Sequence, residues 1–344
     1  MTKKNKGTTR RKWLEMAIKL GVVILLGVVL YNQVFAREDI SDIQTAFTAH
    51  FRSGNLQWLI FAILLMPVNW AFETLKWRTL VVGFEDLSFF RAYRGILSGI
   101  TFSLFTPNRI GEYGGRILIV KPENNWKAVI ATLVGSFCQM LILLTLGFIG
   151  LIFFAQQFLS IDPLVLQGLI FLGFILVSIL LFCFYNIDLV VPIVKRLPFI
   201  HYLKRFVKHI KILKNYSSRE LTIALLYGTL RYFTYSFQYY LILLFFEINV
   251  PIGIGFASIA TIFLLQTSIP LPPIIGLLTR SQIALYVWGH YTDQQIDILA
   301  ATFGLFVLNL IVPAILGLFI IVTTNVLQSL GVDGQQKKTA DEEE

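Results

Sequence analysis

The stretch Thr106-Pro107-Asn108-Arg109-Ile110-Gly111-Glu112-Tyr113-Gly114-Gly115-Arg116 sets two arginines and a glutamate into otherwise apolar chain. Read as a helix capped by Thr106 and begun by Pro107, where a missing N–H is harmless, it puts Arg109, Glu112 and Arg116 at i, i+3 and i+7. That is roughly one face. A charged residue at the centre of a bilayer costs at least ~2.5–3.5 kcal/mol, so three of them need a wet cavity, mutual pairing or a ligand. Gly111, Gly114 and Gly115 weaken a helix but admit close backbone approach. Two readings fit. In one, both arginines and a helix N-terminus that begins at Pro107 and includes Gly111 bind a phosphate, while Glu112 orients Arg116 or meets an amine or proton. In the other, an internal Arg–Glu–Arg network only pins the segment.

Further polar residues interrupt apolar runs. Arg231 sits about ten residues into the run 221–246, with Tyr235 and Gln238 at i+4 and i+7; it reads as a cavity or ion-pair residue, or as a snorkelling arginine. Arg280 follows a proline break and is expected to face an outer vestibule. Asn69 and Glu73, beside Lys76 and Trp77, read as an interfacial anchor, and Trp70, Trp77, Trp126 and Trp288 as aromatic-belt residues. Enzymatic signals are sparse. His50, His201, His209 and His290 fall in expected loops, with no H-E-x-x-H and no Walker loop. Cys138 and Cys183 lie inside apolar runs as small core hydrophobes. No catalytic residue, metal or cofactor is expected, although a membrane transferase with Glu112 as base is an alternative.

The elements that must hold these residues follow from composition. Of 344 residues, 56% are hydrophobic and 14% charged, with a mean hydropathy of +0.71; soluble domains run near ~25% charged. The expectation is an all-α polytopic membrane protein. The net charge of +9 is gathered between apolar runs, at residues 3–12 and 195–219, which excludes nucleic acid as the natural partner and fits the positive-inside bias. Full spans are expected at 17–35, 56–75, 128–155, 164–185, 221–246 and 297–325, each near the ~20 residues a bilayer requires. Residues 1–36 also resemble a signal peptide, but an uncleaved first helix is the preferred reading.

Two apolar stretches, 92–120 and 255–288, are broken by Pro107 and by Pro270, Pro272 and Pro273. Their halves are too short to cross singly, and proline interrupts a helix. Each is expected to be a re-entrant helix pair. On that reading the segments assigned to the cytoplasm hold 22 Lys and Arg and the outer ones two, which puts both termini inside. Ser103, Pro107, Ile110 and Gly111 align with Ser268, Pro272, Ile275 and Gly276 at an offset of 165, so half-repeats at about 56–155 and 221–325 are expected, inverted and joined by a basic cytoplasmic segment 186–220. Segment 1–16 is a basic cytoplasmic lead, 17–325 the membrane domain and 326–344 a disordered tail. Residues 199–214 alternate apolar and basic positions, suiting a helix on anionic inner-leaflet lipid or a solvated loop helix.

The chain resembles the lysylphosphatidylglycerol synthase transmembrane-region family of flippase-like membrane proteins over roughly residues 15–325. The likeness rests on Lys76-Trp77-Arg78, on the P-x-R-x-G-E motif of Pro107, Arg109, Gly111 and Glu112, and on Arg116. The second repeat departs from the family's glycine-rich run: it reads Pro272-Pro273-Ile274-Ile275-Gly276 up to Arg280. The resemblance implies a cell (inner) membrane protein that moves a phospholipid or lipid-linked precursor. Too few residues follow 325 for a soluble synthase domain, so no such activity is expected. A homodimer and a non-transporting scaffold for envelope enzymes stay open.

Overall fold

The computed structural model describes residues 3–31, 40–52, 54–104, 106, 109–189, 211–267 and 276–324, and among these all regular structure is helical. Helix α1 (Lys3–Leu30) begins within the basic lead, and α2 (Ile40–Phe51) is short and amphipathic. Then come α3 (Leu56–Val81), α4 (Phe89–Ser103), α5 (Gly111–Ile117), α6 (Asn125–Phe158) and α7 (Pro163–Tyr185). After the linker follow α8 (Ser218–Phe245), α9 (Ile252–Thr267), α10 (Gly276–Trp288), α11 (Gln295–Phe306), a π turn (Val307–Ile311) and α12 (Val312–Thr323). Local chemistry sets several starts. Asp162 caps α7 ahead of Pro163, and Ser217 with Glu220 forms a reciprocal capping box on α8.

Four stretches are long and apolar enough to cross a membrane: 56–81, 122–158, 163–185 and 295–323. Of the other expected spans, 221–246 has the length, at 28 residues in α8, but Arg231, Gln238 and several tyrosines interrupt its apolarity. The protein is therefore a multi-pass, all-helical membrane protein. Helix α7 is largely outward-facing, with Phe171, Leu172 and Phe174 over 60% exposed. Cys183 lies on that exposed helix, so only Cys138 is the buried hydrophobe expected.

Both proline-broken stretches fold as helix pairs. In the first, α4 and α5 are antiparallel and meet backbone to backbone. A Cβ on Gly115 would strike the Gly99 and Ser98 backbone, and one on Gly111 the Phe102 carbonyl, so these two positions admit no side chain. In the second pair, Ser258 in the first half of α9 bonds Tyr291 just past α10 at 3.0 Å, which again sets the two helices antiparallel. Helices α3 and α8 also run antiparallel, with Tyr216 donating to the Leu80 carbonyl at one end and Gln238 to the Ala62 carbonyl at the other. The two pairs thus follow opposite ends of this central couple. Residues 268–275, 105, 107 and 108 lie outside the described residues, as do the expected surface helix up to Ile210 and the tail; Lys211–Asn215 is a short 3-10 turn.

One expectation needs correction here. The helix carrying the charged motif starts at Gly111 rather than Pro107, and Thr106 serves it from five residues back, its hydroxyl accepting the Gly111 N–H at 2.7 Å. Arg109 precedes the helix with φ +56°, a left-handed conformation that costs a non-glycine residue ~1–3 kcal/mol. With only seven residues, α5 supplies little of the dipole expected to face a phosphate.

Candidate functional site

Helix α3 carries Asn69, Glu73 and Lys76 on one face, at spacings of four and three. That face meets α5, which brings Glu112 and Arg116, and α8, which brings Arg231. Glu73 is the hub. Its Oε1 accepts from Arg116 at 2.8 Å, while its Oε2 pairs with Lys76 at 2.7 Å and Arg231 at 3.1 Å. Arg116 reaches Glu112 at 2.8 Å with the same Nη2, and Glu112 extends the chain to Arg109 at 3.5 Å. Glu73 and Arg116 are only 4% and 3% exposed, so these contacts act in a medium where charge pairing is strong and unpaired charge expensive.

Neutral groups hold the charges in place. Gln139 of α6 accepts from Arg231 at 3.2 Å and Lys76 at 3.5 Å. The Arg231 guanidinium lies 4.9 Å from the Trp70 ring centroid and that of Arg116 5.7 Å from Trp77, both within cation–π range. Trp77 is itself fixed by donating to Thr132 at 3.0 Å. Above the network opens a cavity of about 550 Å³ between α3, α5, α6, α8, α9, α10 and the π turn. Its walls include Glu73, Lys76, Arg109, Glu112, Arg231 and Arg280, with Tyr232, Tyr235 and Phe263 as aromatic lining.

The π turn has a physical cause. Pro313 lacks an N–H and would clash with the carbonyl four residues earlier, that of Asn309; the wider turn relieves this. It leaves Asn309 on the cavity wall, where its Oδ1 accepts from Asn69 at 3.1 Å. Asn69 Oδ1, Asn309 Nδ2 and Trp70 Nε1 are buried, belong to residues that line the cavity, and have no hydrogen-bond partner among the described residues. Buried polar groups left this way are costly.

The sequence expectations divide. Arg109, Glu112 and Arg116 come together, and Arg231 joins them as an ion-pair residue rather than a snorkelling one. Arg280 lines the same cavity as Arg109 instead of a separate outer vestibule. Gln238 does not reach it: fully buried, it ties α8 to α3 through the Ala62 carbonyl. Gly111 acts through backbone packing, and Pro107 lies outside the described residues. Glu73 is the residue that reasoning from sequence misplaced as an interfacial anchor. Trp70, Trp77 and Trp288 are at most 2% exposed and so are not belt residues, whereas Trp126 is 42% exposed. His50 is on α2 and meets Asp297 at 3.2 Å rather than lying in a loop. The overlooked signal was the Asn69–Glu73–Lys76 spacing inside a long apolar helix, where a carboxylate needs a buried cation.

Comparison with curated proteins and with solved structures gives no match. A family model described as the lysylphosphatidylglycerol synthase TM region matches residues 16–317, and with the charged motif joined in one ion-pair network of a helical membrane protein, this chain belongs to that family.

Proposed function

We propose that this protein translocates a lipid across the bilayer by taking its anionic headgroup into the cavity between the two helix pairs. The observation that carries the reading is the charge count. Lys76, Arg109, Arg116, Arg231 and Arg280 face only two carboxylates, Glu73 and Glu112, which leaves a surplus of three positive charges in a largely apolar helix bundle. Uncompensated cations at such depth are expensive, and a phosphate is their natural complement. The antiparallel α3/α8 couple, followed at opposite ends by helix pairs, supports inverted re-entrant halves meeting around one central site.

The proposal assigns no catalysis. Both cavity carboxylates are already paired with cations. With Lys76 left out as part of the buried network, the assigned cytoplasmic segments still hold 21 Lys and Arg against two outside, which supports a cell-membrane location with both termini cytoplasmic. Reconstitution into liposomes with headgroup-labelled lipids tests the reading: the protein should expose inner-leaflet label to a membrane-impermeant quencher, and Arg231→Gln should slow this at least about tenfold. No label exposure by the unaltered protein would defeat it.

A further inference from the structure

We propose that the headgroup taken by this cavity carries two or more negative charges on phosphate, as a lipid-linked diphosphate or terminal phosphate does. A phosphodiester with one charge, or an aminoacylated headgroup with ammonium groups, would be the poorer ligand. The inference rests on the translocator reading and narrows its substrate.

Some of the cavity cations are already satisfied and others are not. Glu73 holds Lys76, Arg116 and Arg231 at 2.7–3.1 Å. Glu112 is engaged by Arg116 at 2.8 Å, so Arg109, at 3.5 Å from it and 39% exposed, keeps most of its guanidinium donors free. Arg280 forms no ion pair and no hydrogen bond among the described residues, although it lines the same cavity. No carboxylate comes from the segments next to it in the chain. The connectors 104–110 and 268–275 contain no Asp or Glu, and neither does any residue from 248 to 292. Two planar guanidinium forks are thus left over on one cavity, and each suits a phosphate bidentately. A single phosphodiester answers only one of them. A lysyl headgroup brings two ammonium groups to a site whose carboxylates are already taken, so it adds repulsion.

The test is titration calorimetry of the full chain in detergent with dihexanoyl lipids that differ only in headgroup: diphosphate, phosphate, phosphoglycerol and lysylphosphoglycerol. At about pH 8 the phosphate lipid is a dianion. The diphosphate and phosphate lipids should bind at least about tenfold tighter than the phosphoglycerol lipid, ~1.4 kcal/mol, and the lysylated lipid weakest. Arg280→Gln should shrink that ratio to below about threefold, and Arg280→Lys, which keeps the charge but not the fork, should restore only part of it. Binding of all four lipids alike, or tightest binding of the lysylated one, overturns the charge class while leaving a headgroup site standing. No binding of any lipid, or inorganic diphosphate binding as tightly as the diphosphate lipid, instead overturns the translocator reading itself.

Discussion

Replacing Glu73 by glutamine keeps the size and removes one charge, leaving three cations to share an amide. In the native network Oε1 faces Arg116 and Oε2 faces Lys76 and Arg231. The amide has one acceptor oxygen, and its best orientation gives that oxygen to Lys76 and Arg231 while turning an NH2 toward Arg116. Arg116 keeps Glu112 at 2.8 Å, which softens the loss. Breaking a buried pair by removing one partner costs about 3–5 kcal/mol, and the retained bond to Glu112 puts the expected cost near ~3 kcal/mol. Unfolding by sodium dodecyl sulfate in mixed micelles, followed by tryptophan fluorescence, measures it. The decisive comparison is Glu73→Gln with Lys76→Met, because removing one cation should recover ~1–2 kcal/mol of the single-variant loss, within the usual range for coupled neighbours. A cost below ~1 kcal/mol for Glu73→Gln, or a double variant no more stable than the single one, would refute the idea that Glu73 is the hub.

Arg109→Lys keeps the charge but loses the planar fork, so transport in liposomes should fall about tenfold with the unfolding midpoint unchanged; a midpoint drop with normal transport would make Arg109 structural. Gly115→Ala places a methyl group against the Gly99 and Ser98 backbone, and the resulting overpacking should cost ~1–3 kcal/mol of stability; an unaffected midpoint would mean that α4 and α5 separate freely. Gln238→Leu removes the bond to the Ala62 carbonyl and should lower stability by ~1 kcal/mol without altering headgroup selectivity, which the same calorimetric series reads; a changed order of headgroups would return Gln238 to the cavity.

Much of this arrangement can be read from local rules. Prolines at 107, 270, 272 and 273 mark where apolar runs must break, and the described helices stop at Ser103 and Thr267 and resume at Gly111 and Gly276. Three charges in an apolar stretch announce a site, because their insertion cost demands partners. What local rules do not reveal is the partner. Glu73 reaches Arg116 across 43 residues and Arg231 across far more, and only the packing of α3 against α5 and α8 distinguishes that from a carboxylate near a membrane surface. Trp70 and Trp77 mislead for the same reason: an indole beside a basic residue suits an interface as well as a buried cation–π contact. The turn at Arg109 was also beyond sequence reasoning, since a left-handed arginine is uncommon and the spacing alone suggests an unbroken helix.

The π turn at Val307–Ile311 amounts to one residue more than a regular helix would use over the same rise. Each residue advances an α-helix by about 100°, so the segments before and after the turn are out of phase by that amount. Before it, Ile298, Ala301 and Leu305 are buried; after it, Ala314, Gly317 and Ile321 are, with Gly317 against the Leu97 carbonyl and Thr101 bonding the Ala314 carbonyl at 2.7 Å. One rod therefore serves two neighbours that lie in different directions. Deleting a single residue from 307–311 would rotate the whole following segment, swing Gly317 away from α4 and turn bulkier side chains toward a seam with no room for a Cβ. The length of that turn, more than the identity of any side chain in it, keeps the cavity wall and the α4/α5 pair in register.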